Sequence, residues 1–249
     1  MRNRVWPRFD NGSCIPERRV TVFVRSTQKE IMDDVSIHDK RLDDALHELT
    51  VINTWLGGHS TSRKGMQKML KNISSQTALS VLDVGAGGSE LLAAISPLHR
   101  NISMTSLDLN LRACEYSAEA YPSIALVNGS VLALPFKEQS FDVVHASLFL
   151  HHFTEDELQA IFLSLYSIAR QGIIINDLRR SVFAYYGIML LTRLFSRSAM
   201  VKNDGPISVR RGFMRNELAR LCALLPSALY TIQRTWAFRW LVCIVKNNE

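Results

Sequence analysis

VLDVGAGGSE, residues 81–90, is an apolar run that passes through an acid into a cluster of glycines. A buried strand that ends this way must turn sharply and offer bare backbone to a ligand, because glycine accepts either sign of φ without steric cost. Strand, glycine loop and helix together make a unit suited to a nucleotide-like ligand. The loop stands at the carboxyl end of its strand, where doubly wound sheets keep their crevice.

The flanking pattern extends this unit into a sheet. The expected first strand is 80–84, with a helix from Ser89 to Ser96 that Pro97 ends. Strands follow at 102–107, closed by Asp108, at 124–127, at 141–146 and at 172–176, with a helix at 111–120. Thr154 and Glu157 form a capping box, and Leu158, Ile161, Phe162, Leu165 and Ile168 make the apolar stripe of the helix behind it. Strands alternating with helices at this spacing predict an α/β fold with a doubly wound, mostly parallel sheet. Two aromatic and β-branched stretches, 229–236 and 239–246, read as an antiparallel pair that finishes a seven-stranded sheet.

Outside the sheet the pattern is helical. Leu42, Ala45, Leu46, Leu49, Ile52 and Leu56 recur at three- and four-residue steps, and Gly57-Gly58 read as the stop of that helix. A second short helix fits 63–73. After the fifth strand, 181–195 reads as an apolar helix, Asp204-Gly205-Pro206 as a loop and 215–225 as a helix. The expected division is a disordered basic tail at 1–27, a helical cap at 28–76 and a ligand-binding domain at 77–249, with a lid insertion at about 178–215.

Composition sets the bounds. The chain has 249 residues, 47 % of them hydrophobic and 21 % charged, which is ample for a core. Four dispersed cysteines without a CxxC pair argue against zinc and disulfide frameworks and fit a reducing cytoplasm. The +6 charge is concentrated at the start, where six arginines face two acids in 1–27, so a nucleic-acid face is not expected. The longest apolar run, 182–191, is ten residues and too short to span a bilayer, although its flanking arginines allow shallow membrane contact.

Two cofactors use a glycine loop with an acid closing the second strand: nicotinamide dinucleotides and S-adenosylmethionine. Asp108 stands 21 residues beyond Gly87, where a carboxylate can accept from ribose hydroxyls. Glu90 occupies the place where the dinucleotide fingerprint needs a small residue. Glu90 and Asp83 suit a cationic ligand better than a pyrophosphate.

At these residues the chain resembles the class I S-adenosylmethionine-dependent methyltransferases. Asp83-Val84-Gly85-Ala86-Gly87 is similar to their motif I, with Ser89 in place of a third glycine, and Asp108 in SLDLN matches the acid of motif II. The run 128–153 (NGSVLALPFKEQSFDVVHASLFLHHF) looks most like the ubiquinone/menaquinone-biosynthesis type, with Ser130 where many members carry an Asp. A fainter likeness, in INTWLGG, INDLRRS and NDGPISVRRGF, is to a bacterial subgroup associated with polyketide or phenolic-lipid biosynthesis.

The resemblance implies cofactor contacts from Asp83, Gly85, Ala86, Gly87, Asp108, Leu109, Ser130, Val131 and Ser147. It implies O-methylation, favoured over C-methylation, of a small phenolic or quinol-like acceptor. His151 and His152 follow the fourth strand, and a neutral imidazole there can take the acceptor's proton; the plainer reading is packing. Trp55 and Arg210, with Arg211, are candidate substrate contacts, against the plainer readings of a core aromatic and a solvated pair. No metal is required by any cluster legible in the sequence. A catalytically inactive methyltransferase-like domain and an NAD-type oxidoreductase are the alternatives.

Overall fold

The computed structural model describes residues 24–74 and 76–247. Most of the proposed 1–27 tail lies outside the described residues. Seven strands form one sheet: β1 (Leu79–Val84), β2 (Ile102–Asp108), β3 (Ala125–Asn128), β4 (Phe141–Ser147), β5 (Ala169–Leu178), β6 (Ala228–Thr235) and β7 (Arg239–Lys246). Their order is β3-β2-β1-β4-β5-β7-β6. β7 runs antiparallel to both β5 and β6, and the pairs from β3 to β5 are parallel. The order reverses beside β1, so the glycine loop opens at the switch point, where such sheets bind ligands.

Both faces of the sheet are covered, as the near-continuous apolar strands require. On one face α5 (Glu155–Ile168) and α8 (Arg215–Ala223) bury Leu158, Ile161, Phe162, Leu165, Leu218 and Leu221 against β1, β4, β5 and β7. On the other, α2 (Gly58–Met69) and α3 (Glu90–Ile95) bury Met66, Leu92 and Ile95 against Val81, Val143, Ile174 and Leu241. Thr154 caps α5 with the expected capping box.

The remaining helices roof the carboxyl end of the sheet. α1 (Lys40–Trp55) places Leu42, Ala45 and Leu46 in a cluster with Ala113 of α4 (Leu111–Ala120) and with Met200 and Val201 of α7 (Ala199–Arg211). α6 (Val182–Phe195) packs on α7. A strap at 24–39, with a single 3₁₀ turn at Ile31–Asp33, runs beneath them.

Three details differ from the sequence expectation. Gly57 does help to stop α1, with φ of 74°, but Gly58 opens α2 at once, so only Leu56 and the left-handed Gly57 separate two helices. α2, expected as part of the helical cap, packs directly on the sheet: a Cβ at its Gly65 would stand 2.5 Å from the Ile174 side chain. Asp204-Gly205-Pro206 lies inside α7 rather than in a loop. An interior proline costs a helix about 3 kcal/mol, and tertiary contacts outweigh it here. Ile207, Val209 and Arg211 are buried, and the Asp204 carboxylate accepts from the amides of Ile31 and Met32, 2.8 and 3.0 Å away.

Candidate active site

The glycine loop, the ends of β2 to β5 and the roof enclose one cavity of about 1170 Å³. Pockets for a single small ligand run to about 300–1,000 Å³, so this one has room for two. Gly85 and Gly87 have φ of 63° and 51°, the left-handed region that glycine accepts freely. A Cβ on Gly87 would meet only Leu46, at 3.5 Å, so bare backbone faces the cavity there. At Gly85 the Phe149 ring already lies against the loop, 1.9 Å from where a Cβ would stand.

Asp108 ends β2 at the cavity wall. Its carboxylate accepts from the amides of Gly87 and Asn110, each at 2.8 Å, which fixes it in one orientation. Burial nevertheless pushes its pKa up, with help from the nearby Asp83 charge. Ala86, Leu109, Ser130, Val131 and Ser147 also line the cavity. The Ser130 hydroxyl caps a 3₁₀ turn by accepting from the Leu132 amide, and Ser147 Oγ donates to the Asn176 carbonyl.

Asp83 lies elsewhere. β1 and β4 pair in register, with Asp83 opposite His145, so the two side chains meet on the same face. The Asp83 carboxylate is 2.7 Å from His145 Nδ1, and His145 Nε2 reaches Ser62 Oγ on α2 at 2.9 Å. Asn176 donates to the same hydroxyl and to the Gly58 carbonyl. Asp83 is thus fully buried in a network that ties the sheet to α2, and it is not among the cavity's lining residues. The acid that lines the cavity beside the loop is Glu90, which accepts from Asn53 at 2.9 Å and whose pKa burial pushes up. Asn53 in turn accepts from Arg239, a buried guanidinium whose pKa burial lowers to about 10.

Across the cavity stand His151 and His152, on a 3₁₀ turn after β4. His151 Nδ1 is 2.7 Å from Asp177 at the end of β5, and its Nε2 faces Glu30 of the strap at 3.6 Å. Burial alone would depress this imidazole. The Asp177 charge and hydrogen bond, with Glu30 behind, outweigh it and raise the pKa to about 9. Both carboxylates favour the charged imidazole, which suits His151 to holding the turn more than to taking a proton. His152 differs. Its Nδ1 meets Asp33 Oδ1 at 2.5 Å, and its Nε2 makes no hydrogen bond to another described residue. Burial opposes ionisation of Asp33, but hydrogen bonds from His152 and Arg211 hold its carboxyl well below the usual range. Arg211 and Arg25 clamp the turn: Arg211 Nε and Arg25 Nη2 both donate to the His151 carbonyl. Arg25 belongs to the segment expected to be tail, yet it also stacks on Phe213, 4.6 Å from the ring centroid.

The two candidate substrate contacts stand outside this cavity. Trp55 is 78 % exposed and does not line it; its carbonyl accepts from Trp236 Nε1, and Trp236 is the indole at the wall. Arg210 likewise faces away, and its neighbour Arg211 is the inward one. Sequence reasoning missed Glu30, Asp33, Phe149, Asp177 and Arg239. Asp177 had a signal, an acid closing the apolar run GIIIN as Asp108 closes β2. The strap acids had none.

Residues 81–172 match a family model described as a methyltransferase domain. An uncharacterized methyltransferase of Synechocystis sp. is 30 % identical over 106 residues, which are 43 % of this chain and 49 % of that protein. The chain thus spans about half the length of the curated relative it matches. Among solved structures, the plantazolicin methyltransferase BpumL with S-adenosylhomocysteine has a TM-score of 0.64 at 13 % identity, over 82 % of this chain and 90 % of that one. Human N-acetylserotonin methyltransferase with S-adenosylmethionine has 0.63 at 13 % identity, over 90 % and 60 %. A putative S-adenosylmethionine-dependent methyltransferase of Methanococcus maripaludis has 0.56 at 17 % identity, over 82 % and 93 %. At these identities the structural likenesses speak for the fold. The family match thus assigns residues 81–172 to a methyltransferase domain, and the solved structures share its fold.

Proposed function

We propose that the chain methylates a hydroxyl of a small, apolar, phenolic or quinol-like molecule, with S-adenosylmethionine as donor. The observation that carries this reading is the continuity of one cavity from the Gly85–Gly87 loop and Asp108 to His152 beneath an apolar roof. Asp108, Leu109, Ser130 and Val131 would hold the adenosine half, and the loop with Glu90 the methionine half. S-adenosylmethionine supplies a methyl group already activated by the positive sulfur it leaves. The protein's own tasks are then to orient the acceptor, exclude water and take up one proton.

His152 is suited to the last task. Asp33 holds its Nδ1, and the ring is among the cavity's lining residues, so its Nε2 would be the atom that takes the acceptor's proton. His151, charged and clamped, positions the turn. α6 supplies Ala184, Ile188 and Leu191 as an apolar wall, consistent with an acceptor that has little charge. The likeness to the ubiquinone/menaquinone-biosynthesis type and the phenolic-lipid subgroup points to the same acceptor class, and N-acetylserotonin in a neighbour's name fits it.

Transfer of labelled methyl from S-adenosylmethionine to a panel of phenols and quinols tests the reading. His152→Gln is expected to slow transfer about 100-fold, the low end for a positioned acid–base group, while S-adenosylhomocysteine affinity stays within about twofold. Equal rates for variant and wild type would remove His152 from the reaction.

A further inference from the structure

α6 carries apolar side chains on two faces, and only one face is used inside the protein. Inward, Ala184, Ile188, Leu191 and Thr192 line the cavity. Outward, Tyr186, Leu190 and Leu194 stand four residues apart, which puts them on one stripe, and Phe183 at the cavity's rim leads into it. The three are 54, 60 and 65 % exposed, and Phe183 and Phe195 are each 79 % exposed. A contiguous apolar patch of this kind marks an interaction site.

The charge around the stripe is of one sign. From Leu178 to Asn203 the chain holds five cations, Arg179, Arg180, Arg193, Arg197 and Lys202, and no acid. Arg180 is buried against Glu217, 2.6 Å away, whereas Arg193, Arg197 and Lys202 are exposed. Glu48 of α1 reaches this segment, but its carboxylate is engaged by the Ser196 hydroxyl and the amides of Arg197 and Ser198.

We propose that this face docks on an anionic lipid surface. The stripe would enter the headgroup–acyl boundary, and the exposed cations would meet lipid phosphates. A two-fold dimer through the same patch is disfavoured, because an isologous contact pairs the patch with itself and so brings Arg193, Arg197 and Lys202 to a second acid-free, cationic segment. The same helix walls the cavity, so docking brings the cavity's roof to the bilayer and lets an apolar acceptor arrive from it. That last clause rests on the proposed methyl transfer; the docking itself does not.

The test is flotation of the full-length chain with vesicles of phosphatidylcholine alone or mixed with phosphatidylglycerol, alongside S-adenosylhomocysteine titration. Partition into anionic vesicles should be at least about tenfold stronger than into neutral ones and should fall with salt. Leu190→Ser with Leu194→Ser, and separately Arg193→Glu with Arg197→Glu, should each reduce it at least about tenfold, with nucleoside affinity unchanged. These four residues line no part of the cavity. The proposal is overturned by absence of vesicle binding. It is equally overturned if both variants bind like wild type, which would assign binding to the N-terminal arginines. A concentration-dependent dimer abolished by Leu190→Ser with Leu194→Ser would overturn it in favour of self-association. Vesicle binding without nucleoside binding would instead strike at the methyl-transfer reading.

Discussion

Asp177→Ala is expected to cost about 3–5 kcal/mol of folding stability at neutral pH, the loss that follows when one partner of a buried ion pair is removed. Asp177 is fully buried, and the imidazole it faces is 3 % exposed, so water cannot replace the lost carboxylate. Its two oxygens also accept from the amides of His151 and Leu178, and alanine strands both donors. The effect has a pH signature. The folded pKa of His151 rises from 6.5 to about 9. A raised pKa contributes stability that is fully present below the unfolded value and lost as pH climbs through the folded one. Wild-type stability should therefore decline between pH 6.5 and 9 by roughly 3 kcal/mol. Asp177→Ala should flatten that decline, since Glu30 alone remains opposite the ring. Urea unfolding at both ends of the window measures both quantities. A variant within about 1 kcal/mol of wild type, or one with the same pH slope, would mean that the pair contributes little.

Gly85→Ala is the second large effect. A side chain in the left-handed region costs about 1–2 kcal/mol. The new Cβ would also stand 1.9 Å from Phe149 Cδ2 and 2.1 Å from its Cγ. The near end of the ring is struck, so the whole side chain must leave its rotamer, at about 1–3 kcal/mol. The sum is about 3 kcal/mol, and because the loop itself is distorted, S-adenosylhomocysteine affinity should fall at least about 100-fold. Phe149→Ala made together with Gly85→Ala separates the two parts. The double variant should recover the steric part of the stability loss and leave the backbone part, a plain departure from additivity. Strict additivity would show that the ring gives way freely.

Much of this fold is legible in the chain because its central strands are buried on both faces and its helices carry clear starts. α4, β7 and the capped α5 are such cases. The misreadings share a cause. Gly57-Gly58 and Asp204-Gly205-Pro206 are local breakers whose effect depends on surroundings, and tertiary packing makes a helix of residues that alone would turn. The site divides the same way. Asp108 and the glycines are legible because local chain geometry defines them. Asp83 is legible only as an acid at the end of a strand, expected at the cofactor; its partner His145 comes from sheet register, which no local pattern displays. Glu30 and Asp33 look like ordinary surface acids in an irregular segment. They matter because the strap crosses beneath α7, where Asp204 holds it, and so reaches the His151–His152 turn. That crossing is a long-range event.

What the glycine loop holds decides the chemistry of the whole cavity. The most direct measurement is calorimetric titration of wild type and Asp108→Ala with S-adenosylhomocysteine, with NADH as the competing ligand. Micromolar binding of the adenosyl ligand alone, weakened at least about tenfold by loss of a buried charged hydrogen-bond partner, is the predicted result. Absence of adenosyl binding to wild type, or tighter binding of NADH, would contradict it.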